Sequence, residues 1–164
     1  MRAVLLADTH IPDNCDRTLD DRVLEAAADA DVVLHAGDVT GRELLARLTE
    51  LVPVHAVLGN NDVGLTDALP VELTLDLEGV VVALVHDAGP RPGRPGRLAR
   101  RYPLADLVVF GHSHQPEDLV PEAGRPRIFN PGSPTQRRRA PTRTFGILEV
   151  RDGRVVTLEH VHLM

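Results

Sequence analysis

A chain of 164 residues can bury a substantial core in one domain, and 43% hydrophobic content with only 2% aromatics leaves Leu, Val and Ala to fill it. The net charge of −6, with every basic residue an arginine, argues against a general nucleic-acid surface. The single cysteine, Cys15, excludes an intramolecular disulfide, no apolar run reaches membrane-spanning length, and Met1-Arg2-Ala3 enters an apolar run instead of a signal peptide, so a cytoplasmic protein is expected.

In chain order, residues 3–7 form an apolar run of the kind that becomes a buried strand, and Asp8-Thr9-His10 follows it. A helix is predicted over 19–30, with Asp16, Thr18 and Asp20 near its start, where helix N-termini favour side-chain oxygens. The strand 32–36 runs into Gly37-Asp38, and a second helix is predicted over 41–50. The strand 54–58 ends at Gly59-Asn60-Asn61-Asp62. Residues 71–77 then alternate apolar and polar, Glu78-Gly79 turns the chain, and the strand 80–85 leads to His86-Asp87.

The stretch 87–97 contains Gly89-Pro90-Arg91-Pro92-Gly93-Arg94-Pro95-Gly96 and reads as a loop, neither helix nor strand through its middle. The strand 107–110 precedes Gly111-His112-Ser113-His114. An Asn130-Pro131-Gly132-Ser133 turn comes next, then Arg137-Arg138-Arg139, which reads as an exposed mobile segment. A hairpin of 144–150 and 154–161 turns at Asp152-Gly153. Parallel-type units followed by hairpins predict an α/β fold: two mixed β-sheets packed face to face as a sandwich, flanked by helices, in a single domain over 1–164.

The strand-end motifs carry the chemistry, at the place where α/β folds build their sites. Asp8 and His10 lie two apart, which on an extended segment projects them to one side, and His112 and His114 repeat the spacing. Asp38 and Asn60 add oxygen donors and His86 a nitrogen. A mixed nitrogen and oxygen set without thiolate suits Mn, Fe, Zn, Co or Ni. Seven such ligands exceed one tetrahedral ion and suit two ions about 3.5–4 Å apart with a bridging carboxylate, a geometry used for phosphoryl chemistry. His35 and His55, inside apolar strands, are expected to be partly buried and hydrogen-bonded, and His160 and His162 to lie at the surface.

The order D-x-H, G-D, G-N-x-D, H, G-H-x-H resembles the calcineurin-like metallophosphoesterase superfamily. The short length and the Asn130-Pro131-Gly132-Ser133 turn resemble its compact YfcE-like phosphodiesterase branch, and the likeness runs from Ala3 to about Val150. It implies the metallophosphoesterase fold and two divalent ions, manganese foremost, with Zn, Fe, Ni or Co as alternatives. Asp8, His10 and His114 would hold the first ion, Asn60, His86 and His112 the second, and Asp38 would bridge. A hydroxide held between the ions would attack phosphorus in line. The implied substrate is a small phosphodiester or nucleotide-like molecule.

One departure bears on mechanism. In the protein-phosphatase and nucleotidase branches the third residue of G-N-x-D is a histidine that assists the leaving group; here Asn61 can donate a hydrogen bond to a phosphoryl oxygen but no proton. Diesters and good leaving groups are therefore expected to react better than alkyl monoesters. A glycine often follows the histidine that corresponds to His86, so Asp87 either adds negative charge near the site or starts the loop. Arg91 and Arg94, just beyond, are candidates to meet a substrate phosphate, against the plain reading of a solvated loop. The rival functions are a non-catalytic interaction module of the retromer-small-subunit type, which has degraded metal chemistry, and a phosphomonoesterase. The complete ligand set favours the enzyme, Asn61 disfavours the monoesterase, and homo-oligomerisation stays open.

Overall fold

The computed structural model describes residues 1–120 and 124–164. Strands β1 (Arg2–Leu6), β2 (Val32–His35) and β3 (Val54–Ala56) are parallel to one another. The hairpin of β9 (Arg143–Arg151) and β10 (Arg154–Leu163) joins β1 antiparallel, giving the sheet order β10-β9-β1-β2-β3. The second sheet contains β4 (Glu72–Leu77), β5 (Val80–Val85), β6 (Leu107–Val109), β7 (Glu117–Leu119) and β8 (Arg127–Asn130), in the order β4-β5-β6-β8-β7. Its inner strands β5, β6 and β8 are parallel, and β4 and β7 pair antiparallel at the edges. Both sheets are mixed, as predicted.

Alternation along the strands builds the layers. Ala3, Leu5, Val32 and Leu34 of the first sheet pack against Val82, Leu84, Leu107, Val109 and Phe129 of the second. The intervening residues Val4, Leu6 and Val33 turn the other way, onto Val23 and Ala27 of α1 (Asp21–Ala28) and Leu44 and Leu48 of α2 (Arg42–Leu51). Asp20 caps α1 by accepting from the Arg22 amide, the role its position suggested. On the far face of the second sheet, Leu98 of α3 (Arg94–Arg101) and Tyr102 cover Val85, Val108, Phe110 and Ile128. Each fully buried Leu, Val or Phe contributes about 1.5–3 kcal/mol, so this aliphatic packing supplies the driving force that aromatics supply elsewhere. Among the described residues no helix is long and apolar enough to cross a membrane.

Several local expectations give way. The stretch 87–97 is not loop throughout, because α3 begins at Arg94: Pro95 falls in the first turn, where an amide would lack a helical partner anyway. Strands β7 and β8 lacked a visible pattern, being three and four residues long. His55 is exposed on the edge strand β3, while His160 is half-buried, stacked on Phe129 at 4.3 Å between centroids and 2.8 Å from the Asn130 carbonyl.

Candidate metal centre

The C-terminal ends of the parallel strands bring the motifs together: Asp8 and His10 follow β1, Asp38 follows β2, Asn60 follows β3, His86 follows β5, and His112 and His114 follow β6. The backbone there is kinked. Asp8, His10, Asp38, His112 and His114 have positive φ of 54°, 44°, 57°, 71° and 57°. Such left-handed non-glycine residues cost on the order of 1–3 kcal/mol each and gather where surrounding structure over-determines them. The paired ligands therefore converge through bent loops, not along the extended segment their spacing suggested. Main-chain bonds hold the bends, from Asp8 N to Gly37 O (2.9 Å), His10 N to Asp38 O (3.0 Å) and Gly111 N to His86 O (3.0 Å). Gly37 is required at φ +86°, since a Cβ would stand 2.7 Å from His86 Nδ1.

The candidate ligand atoms form two groups. His10 Nε2 is 3.2 Å from His114 Nε2, which is 3.6 Å from Asp8 Oδ1. Opposite them, Asn60 Oδ1 lies 3.0 Å from both His86 Nε2 and His112 Nδ1. Asp38 Oδ2 stands between, 3.4 Å from His10 Nε2 and 3.5 Å from His86 Nε2. The donor atoms of Asp8, His10 and His114 lie within 4.8 Å of one another, and so do those of Asp8, Asp38 and His86.

A surrounding shell orients these groups. His86 Nδ1 donates to Ala36 O (2.7 Å) and His114 Nδ1 to Gln136 O (3.1 Å), which turns each Nε2 toward the centre. Asp62, 1% exposed, accepts from the amides of Asp38 (2.8 Å), Thr40 (2.7 Å) and Gly59 (2.7 Å), tying the second and third motifs together. Asn130 Nδ2 donates to Gly111 O (2.9 Å), and Ser133 Oγ to Asp8 O (2.7 Å). His35 is fully buried, as expected of a strand histidine, and its Nε2 is 3.0 Å from Thr9 Oγ1. Burial takes its pKa down to about 3, so the ring is neutral. Asp62, Asn130 and Ser133 belonged to recognised motifs, but their bracing roles depend on partners that spacing does not reveal.

The electrostatics fit a bound cation. Asp8 Oδ2 is buried with no hydrogen-bond partner among the described residues, and burial pushes the Asp8 pKa up to about 7. Burial also holds His10 below the usual histidine value and takes His114 to about 4, so both imidazoles are neutral and can ligate. For Asp38, burial acts upward, but hydrogen bonds from His86 and Asn61 outweigh it and hold the carboxyl well below the usual range. For His86, burial acts downward, and its bonds to Asp38 and Ala36 more than offset it. An orphaned carboxylate oxygen beside the neutral nitrogens of His10 and His114 is a mixed oxygen and nitrogen donor set suited to divalent transition ions.

The substrate candidates fare differently. Asn61 is exposed and bonds Asp38 through both its amides. Arg91 is exposed and lies 3.8 Å from Glu117 Oε1. Arg94 is not a solvent-facing phosphate ligand: it is buried, its Nη1 donates to Glu117 Oε2 (2.7 Å), its Nη2 to Gly89 O (3.0 Å), and its guanidinium lies 4.7 Å over the Phe110 ring. The helix that was read as loop turns this arginine inward. Asp87 Oδ1 accepts from Gly89 N (2.7 Å) and so starts the loop. It also lines a cleft of about 360 Å³ beside Asn60, His86 and His112, walled by Leu58 and Val71.

The family model for the calcineurin-like phosphoesterase superfamily domain matches residues 1–153. The chain belongs to this superfamily. Superfamily members use divalent metals, in keeping with the donor set just described. Among its relatives, this calcineurin-like phosphoesterase is 35% identical over 138 residues to a probable metallophosphoesterase of Methanothermobacter thermautotrophicus, covering 80% of this chain and 76% of that protein. Its fold is similar to that of zinc-complexed Vps29 from Entamoeba histolytica (TM-score 0.76, 22% identity, 99% of each chain). It is also similar in fold to YfcE, a phosphoesterase from E. coli (TM-score 0.64, 22% identity, 97% of this chain and 98% of that one).

Proposed function

We propose that this phosphoesterase is a phosphodiesterase working with two divalent ions, manganese foremost, on a small phosphodiester or nucleotide-like substrate in the cytoplasm. The observation that carries the reading is Asp38 Oδ2, which stands 3.4 Å from His10 Nε2 and 3.5 Å from His86 Nε2. One carboxylate oxygen thus faces a nitrogen from each ligand group, as a bridging ligand must. Asp8, His10 and His114 would hold one ion, Asn60, His86 and His112 the other, and Asp38 would serve both. When bound, the ions supply a water acidified to a pKa near 7 and offset charge on the phosphoryl oxygens.

The chain's own residues decide the rest. Asn61 holds Asp38 ionised and oriented through bonds of 2.7 and 2.8 Å, and keeps one side-chain hydrogen for a phosphoryl oxygen. It has no proton to give a departing oxygen. Aryl and nucleotide diesters, whose leaving groups need less help, are therefore favoured over alkyl monoesters. The cleft beside Asn60, His86 and His112 offers room for the leaving group.

The test is turnover of bis(p-nitrophenyl) phosphate, cyclic nucleotides and p-nitrophenyl phosphate by protein loaded with Mn, Zn, Fe, Co or Ni. Diester hydrolysis that saturates at two metal equivalents supports the reading. Failure to turn over any diester with any of these metals would overturn it, leaving a phosphomonoesterase if p-nitrophenyl phosphate is still hydrolysed and a non-catalytic interaction role if it is not.

A further inference from the structure

The segment after the Asn-Pro-Gly-Ser turn is fastened to the metal centre at several points. Ser133 Oγ accepts from the Gln136 amide (2.9 Å) while donating to Asp8 O (2.7 Å), and Thr135 Oγ1 donates to Thr9 O (2.7 Å). The Gln136 carbonyl receives the Nδ1 hydrogen of His114 (3.1 Å). The chain leaving residue 136 is therefore held against the loops that carry Asp8, His10 and His114. It then closes a tight turn, with Ala140 N donating to Arg137 O (2.7 Å).

Arg138 sits within that turn, two residues beyond Gln136. Its φ is +45°, a conformation arginine rarely adopts. It is exposed and makes no hydrogen bond or ion pair among the described residues. Its positive charge nevertheless bears on Asp8, His10 and His114 together. Arg137, by contrast, turns its Nη1 back to Ala140 O (3.4 Å). The loop is braced to the residues that would hold an ion, and its exposed arginine has no partner among the described residues, so it is free to meet an anion bound beside that ion. A guanidinium fork matches two oxygens of one phosphate.

We propose that Arg138 is the phosphate-binding residue of this centre, its guanidinium holding non-bridging phosphoryl oxygens on the side of Asp8, His10 and His114. This rests on reading the centre as a phosphoester site, and it gives Arg138 the task that the sequence suggested for Arg91 and Arg94. It also replaces the view of residues 137–139 as a mobile segment without a role.

Inorganic phosphate titrated into the manganese-loaded chain tests it, with Arg138→Ala, Arg138→Lys and Arg139→Ala compared against wild type. Loss of a charge-assisted pair should weaken phosphate binding by roughly 10–100-fold in Arg138→Ala. Arg138→Lys, which keeps the charge and loses the fork, should fall between, and Arg139→Ala should stay within about twofold. Manganese stoichiometry and melting temperature should not change. KM for bis(p-nitrophenyl) phosphate should rise in step with the phosphate Kd. Wild-type phosphate affinity in Arg138→Ala, or no phosphate binding by the wild type, would overturn the proposal. Turnover with unchanged phosphate affinity in Arg138→Ala sinks the proposal alone. Arg138-dependent phosphate binding without diester turnover upholds it and sinks the phosphodiesterase reading instead.

Discussion

Asn61 grips Asp38 at both oxygens: its main-chain amide donates to Oδ1 at 2.8 Å and its side-chain amide to Oδ2 at 2.7 Å. The carboxylate that stands between the two ligand groups is thereby oriented and kept ionised against the cost of burial. The residue found where other branches carry a histidine thus has a standing task before any substrate arrives, with one amide hydrogen to spare.

Asp38→Asn preserves shape but removes a charge and sets an amide donor against the Asn61 donors. Activity is expected to fall to near background and metal stoichiometry to drop, while circular dichroism of the metal-treated protein stays native. Retention of most of the turnover would remove Asp38 from its bridging role.

Asn61→His tests leaving-group assistance. A positioned general acid is typically worth about 10²–10⁴-fold, but it needs an orienting partner. Asp62 is no candidate, because its carboxylate is spent on three main-chain amides. The new imidazole would also give up the side-chain bond to Asp38. Monoester turnover should therefore gain little, and metal affinity should decline. Rates for an alkyl monoester, glycerol 2-phosphate, and for bis(p-nitrophenyl) phosphate across pH decide the matter. A selective monoester gain of about 10²-fold or more would show that position 61 can donate a proton unaided.

Asp62→Ala would strand three amides that the carboxylate now satisfies in a site 1% exposed. At about 1–3 kcal/mol for each unsatisfied donor, the loss should reach about 3 kcal/mol or more. For a chain of this size that is a fall of roughly 6–12 °C or more in melting temperature. Thermal melts with and without metal provide the measurement, and an unchanged melting temperature would show that the clamp is dispensable.

Metal uptake should release protons in a pH-dependent way. In the metal-free fold, burial raises the Asp8 pKa to about 7 from an ordinary value of 3.8, so the carboxyl is neutral at pH 6 and largely ionised at pH 8. A cation requires the carboxylate, so below pH 7 it must displace a proton. Manganese affinity should weaken by up to about tenfold per pH unit on that side. The raised pKa of His86 acts in the same direction. Without metal, Asp8 stabilises the fold fully below pH 3.8, and that contribution is lost as pH rises through 7. Calorimetric metal titrations in buffers of different ionisation enthalpy should read at least about one more proton released at pH 6 than at pH 8. Equal proton counts would show that Asp8 is ionised throughout.

What the sequence alone determined is local. Apolar runs such as 80–85 marked strands, Asp152-Gly153 marked a hairpin turn with both residues left-handed, and each ligand motif sat directly after its strand, because these signals lie within a few residues of their cause. The sandwich followed from the order of those units. The tertiary structure decided everything that needs a distant partner. Arg94 turned inward because Glu117 waits on another strand, Asp62 became a clamp because three amides converge on it, and the loop that carries Arg138 came beside the centre because Ser133 is bonded to Asp8, 125 residues away. Periodicity tells which way a side chain leaves its own strand; only packing of the two sheets tells what it meets. Hence one oxygen of Asp38 lies between His10 and His86, a relation no spacing along the chain encodes.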